Sequence, residues 1–83
     1  MARRTPSQTL QEAFGQAVRA RRKELGLSQE GLGERADLHR TYISQVERGL
    51  KSPSLTTIEH VARVLGVRPS ELVRDAERLT RLK

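Results

Sequence analysis

Between Leu10 and Leu25 the apolar residues return at helical spacing. Turned at about 100° per residue, Leu10, Phe14, Ala17, Val18 and Leu25 share one stripe. Thr9 stands where an N-cap belongs and Gly26 where such a helix closes. Arg21 falls inside the stripe. Its aliphatic stem is expected to cover Phe14 or Leu25 while its head reaches water.

A second, short pattern opens with Ser28 as N-cap and runs from Gln29 to Ala36, with Leu32 and Ala36 inward. Gly31 and Gly33 each weaken it by up to about 1 kcal/mol relative to Ala. Close approach of the next helix accounts for Gly33; nothing in the sequence accounts for Gly31. Asp37-Leu38-His39 then makes a turn, in which Asp37 tolerates a left-handed backbone and His39 takes the next N-cap slot. From Arg40 to Arg48, Tyr42, Ile43 and Val46 gather on one side, opposite Arg40, Thr41, Ser44, Gln45 and Arg48. A helix of two and a half turns cannot stand alone in water, so its apolar side must lean on neighbours. Its polar side is left as a solvent-facing ridge, closed by Gly49.

After the loop Leu50-Lys51-Ser52-Pro53, Ser54 caps a fourth helix over about 55–65, with Leu55, Ile58, Ala62 and Leu65 inward and Gly66 ending it. Val67 plugs the following turn. Pro69 occupies a first helical position, where its missing N–H does no harm, and opens a fifth helix over 69–82. Leu72, Val73, Ala76 and Leu79 form its stripe, and Asp75 with Arg78 and Glu77 with Arg81 are spaced for exposed pairs worth ~0.3 kcal/mol each. The pattern thus predicts an all-α chain with helices at about 10–25, 29–36, 40–48, 55–65 and 69–82. Residues 1–8 form a flexible basic tail and 9–83 one domain. Arg3 and Arg4 in the tail read as a solvated terminus, with an arm reaching DNA as the alternative.

Composition narrows the function. Sixteen Lys+Arg against ten Asp+Glu give a formal net charge of +6 and a pI near 11.1, which favours a polyanionic partner, nucleic acid above all. There is no Cys, which excludes disulfides and thiolate metal sites. The sequence carries no membrane span or signal-type apolar run, and a cytoplasmic location is expected. No catalytic triad, phosphate-cradling loop or metal-ligand cluster stands out, so neither enzyme chemistry nor a cofactor or metal is expected.

Two short helices joined by a tight turn, the second polar outward, describe a helix-turn-helix. The residues Phe14-Gly15, Arg19, Arg22, Gly26-Leu27-Ser28-Gln29-Glu30, Leu32, Ala36, Leu38, Arg40-Thr41-Tyr42-Ile43-Ser44, Glu47-Arg48-Gly49, Pro53-Ser54-Leu55 and Leu65-Gly66-Val67 resemble the phage-repressor-type (XRE, Cro/C1) helix-turn-helix family. The Arg-Thr-Tyr-Ile-Ser run is especially similar to the controller proteins of restriction-modification systems. Arg21, Leu25, Gly33 and Asp37 depart from the family pattern without disturbing its register.

The resemblance implies a five-helix, lambda-repressor-like DNA-binding domain whose third helix enters the major groove. On that reading Arg40, Thr41, Ser44 and Gln45 contact bases, Arg40 as the bidentate reader of guanine O6 and N7. Gln29, Tyr42, Arg48, Lys51 and Ser52 are the phosphate contacts. The family also implies a structural salt bridge between Arg22 and Glu47 that orients the recognition helix. One such helix reads few base pairs, so a homodimer on a palindromic operator of double-stranded DNA is expected, acting as a transcriptional regulator. Its interface is expected at Val73, Ala76 and Leu79. Glu30 and Glu34 read as a solvated face, with contact to RNA polymerase as the alternative. An antitoxin that binds a toxin and autoregulates its operon is the competing function, for which no toxin-wrapping segment is evident.

Overall fold

A computed structural model describes residues 8–81, the side chain of Arg81 excepted. The basic arm at Arg3 and Arg4 lies outside these residues, as do Leu82 and the proposed Glu77–Arg81 pair.

Five helices follow in order: α1 Leu10–Glu24, α2 Gln29–Ala36, α3 Arg40–Glu47, α4 Leu55–Leu65 and α5 Pro69–Arg81. Each boundary through the start of α5 lies within about a residue of the expected one. The stops and starts have the anticipated chemistry. Thr9 accepts from the Glu12 N–H while the Glu12 side chain accepts from the Thr9 N–H, a reciprocal capping box. Ser28 and Ser54 cap α2 and α4 through the N–H groups of Gly31 and Thr57. Gly66 closes α4 at φ 75°, the left-handed region that a glycine enters without steric cost.

The helices surround one core. α1 lies against both α3 and α5, while α2 bridges α3 and α4, and α4 completes the shell against α5. Phe14, Val18, Leu32, Ile43, Val46, Val61, Leu65 and Leu72 fill the centre. Among the described residues no helix is long and apolar enough to cross a membrane, and no three His, Asp or Glu side chains gather as a metal site.

Several inward assignments are corrected. Leu10, Leu25 and Leu55 are half to largely exposed, Leu55 at 85%, because each sits at a helix end beyond the cover of neighbouring helices. Val61, outside the expected stripe, is buried instead. Ala76 is fully buried within a single chain. It closes the core beneath α5 and has no surface left for a dimer contact, unlike the half-buried Val73 and Leu79.

Arg21 is also corrected. Its Nε donates to Asp75 Oδ2 at 2.8 Å and its Nη2 to Oδ1 at 3.3 Å, so the head is paired across the α1–α5 seam. Asp75 is thereby committed to Arg21 in place of Arg78. These bonds, with the nearby negative charge, raise the Arg21 pKa above its ordinary value.

Candidate nucleic-acid interface

The orientation of α3 is set by backbone contacts that only glycine permits. A Cβ on Gly15 of α1 would collide with the Val46 carbonyl and stand 2.7 Å from the Glu47 oxygen. A Cβ on Gly33 of α2 would lie 2.5 Å from the Leu38 carbonyl and 3.3 Å from the Arg40 nitrogen. The expected close approach at Gly33 is therefore made by the turn and the first residue of α3. Gly31 acquires a milder reason: a Cβ there would stand 3.2 Å from the Ser28 Oγ that caps the helix.

Between α2 and α3 the chain reverses at Asp37, whose φ of 62° is left-handed, and the Leu38 N–H returns to the Gly33 carbonyl at 2.8 Å. His39 then caps α3, its Nδ1 accepting the Thr41 N–H at 3.0 Å.

Side chains complete the lock. Arg22 Nε donates to Glu47 Oε2 at 2.7 Å and Nη2 to Oε1 at 2.9 Å, in a buried bidentate pair. The third guanidinium nitrogen, Nη1, donates to the Leu27 carbonyl at 2.8 Å. Hydrogen bonding to Glu47 raises the Arg22 pKa against the opposing effect of burial. At the far end of α3, Gln11 Nε2 donates to the Gly49 carbonyl at 2.8 Å.

On the outer side, Arg40 and Thr41 are exposed and Ser44 and Gln45 half-buried, one turn further along the same ridge. Arg48 continues it and Lys51 follows in the loop, both exposed. Tyr42 is half-buried and its ring packs against the core, which leaves the hydroxyl as its polar end. Ser52, although exposed, borders a different feature: an apolar groove of about 310 Å³ lined by Leu10, Phe14, Pro53, Ile58 and Val73.

Two relationships within the site are not written in the sequence. Gln29 Nε2 donates to Glu47 Oε1 at 3.0 Å, so part of the amide supports the buried carboxylate. The backbone N–H groups of Gln29 and Glu30 open α2 ahead of the first capped position, where an anion is stabilised. Glu30 Oε1 also stands 3.5 Å from Arg40 Nη1, with both side chains well exposed. A contact of that length between exposed groups is weak and yields readily to another partner.

The arrangement is a polar ridge on a cationic protein, with a helix N-terminus beside it. Residues 18–72 match the family model described as helix-turn-helix. The chain is 49% identical over 61 residues to the control protein C.BamHI of Bacillus amyloliquefaciens, covering 72% of this chain and 75% of that one. Among solved structures, the clp gene regulator ClgR from Corynebacterium glutamicum superposes with a TM-score of 0.88 at 30% identity, covering 93% of this chain and 82% of that one. The master regulator for biofilm formation SinR, solved in complex with DNA, gives a TM-score of 0.70 at 38% identity over 72% of this chain and 97% of that one. The chain belongs to the XRE-type helix-turn-helix family of transcription regulators.

Proposed function

We propose that this protein is a sequence-specific transcriptional regulator that binds a palindromic operator as a homodimer, with α3 as its recognition helix. The observation that carries this reading is the fixed presentation of Arg40, Thr41, Ser44 and Gln45 on one ridge. Gly15, Gly33 and the Arg22–Glu47 pair hold that ridge against α1 and α2. Preorganised donors lose little freedom on binding, which is what base readout needs.

Arg40 offers a planar fork suited to guanine O6 and N7, and Thr41, Ser44 and Gln45 supply shorter contacts beside it. Gln29 with the N-terminus of α2, Tyr42, Arg48, Lys51 and Ser52 position the ridge on phosphates. The similarity to a control protein and to a regulator solved in complex with DNA supports the regulator reading.

The apolar groove supports the dimer. Leu10, Ile58 and Val73 are incompletely covered around it, and Leu79 on α5 is likewise half-buried. A second copy across this face would cover the apolar surface, and reading a palindrome requires the two ridges to stand about one helical turn, ~34 Å, apart.

The test is selection of bound duplexes from a random pool at ~150 mM salt, where non-specific phosphate binding is suppressed. A two-fold symmetric motif is the expected product. Retention without any motif would overturn the reading.

A further inference from the structure

We propose that His39 is an additional DNA-contacting residue, which presents its Nε2–H as a neutral hydrogen-bond donor to an acceptor on the duplex. The inference rests on the regulator reading and adds to it a contact of a different chemical type.

The geometry fixes the tautomer. His39 Nδ1 accepts the Thr41 backbone N–H at 3.0 Å, and a nitrogen that accepts from an N–H carries no proton of its own. The proton of the neutral ring therefore resides on Nε2, which is a donor. The ring is exposed, and among the described residues Nε2 has no hydrogen-bond partner. Glu30, Glu34, Leu38 and Arg40 border the same shallow cleft, yet neither carboxylate is hydrogen-bonded to it.

Position and residue type point the same way. His39 immediately precedes Arg40 and Thr41, the leading edge of the ridge. As a cap alone, histidine is a poor choice, since Ser, Thr, Asp and Asn cap better. What it adds is a donor on the far side of a ring whose orientation the cap already holds. The matching acceptors are purine N7, guanine O6 or thymine O4 in the groove, and phosphate oxygens. Because the donor is neutral, it releases no counterion on binding.

The experiment compares the intact protein with His39→Ser, and with His39→Thr as a second variant; both hydroxyls retain the cap and lack the donor's reach. Affinity is measured on the selected operator, on each of its single-base-pair variants, and across a salt series, with the thermal midpoint as a check on folding. The expected loss is about five- to tenfold, as for one neutral hydrogen bond, with unchanged dependence on salt. A loss that vanishes only when one base pair of the operator is changed assigns that base edge as the acceptor, and a loss equal on every variant assigns a phosphate oxygen. Unchanged affinity in folded variants would overturn the proposal. So would a salt slope lowered by about 0.9, since that identifies a cationic contact. Failure of the regulator reading shows separately, as absence of a motif for the intact protein. The same comparison on random-sequence duplex then decides the His39 contact, with equal affinities again overturning it.

Discussion

The guanidinium of Arg22 and the carboxylate of Glu47 meet in the buried seam between α1 and α3 through two bonds, of 2.7 and 2.9 Å. Removing either partner strands a charge away from water. Arg22→Met or Glu47→Leu alone is expected to cost about 3–5 kcal/mol, against a total stability of about 4–12 kcal/mol for a chain of this size. The paired replacement Arg22→Met with Glu47→Leu should recover most of that loss. Urea denaturation of the four proteins checks it, and additive single losses in the double variant would count against a coupled pair.

Gly15 sets the distance between the same two helices. Gly15→Ala drives a methyl group into the Val46 and Glu47 carbonyls, which are backbone and cannot turn aside. A loss of about 3 kcal/mol is expected in thermal or urea unfolding, whereas Gly26→Ala faces no steric neighbour and is strained only by its positive φ.

The Arg21–Asp75 pair joins α1 to α5 at partly exposed positions. Asp75→Asn should destabilise by only about 1 kcal/mol, and the difference from wild type should shrink in high salt as solvent ions screen the pair. Chemical denaturation with urea at two ionic strengths measures both quantities.

Charge placed in the apolar groove separates assembly from folding. Ile58→Glu and Val73→Glu should weaken self-association by more than about 100-fold while helical content persists, as sedimentation equilibrium and circular dichroism would report. Ala76→Glu should instead unfold the chain, because that side chain is buried in the monomer.

Helix positions were legible in the sequence because caps and periodicity act locally: Thr9, Ser28, Ser54 and the glycines after α1, α3 and α4 mark their own boundaries. Coverage was less legible. Leu55 satisfies the helical period as well as Leu65 does, yet whether a stripe residue is buried depends on which neighbour overhangs it. Partners distant in the chain were invisible to spacing. An arginine inside an apolar stripe signalled a need for a counter-charge, but Asp75, 54 residues away, could be identified only in three dimensions. The Arg22–Glu47 pair was anticipated from family resemblance alone, and the Gln29 amide that joins it from nothing in the sequence.

Arg40 on α3 is the proposed reader of a guanine. The most direct measurement is a thermodynamic cycle on the selected operator, combining Arg40→Ala with replacement of the contacted G·C pair by A·T, at ~150 mM salt. The base change should weaken intact protein by about 10- to 100-fold and the Arg40→Ala variant hardly at all. Equal losses for both proteins at every G·C pair of the operator would contradict it, because the guanine would then be read by something other than Arg40.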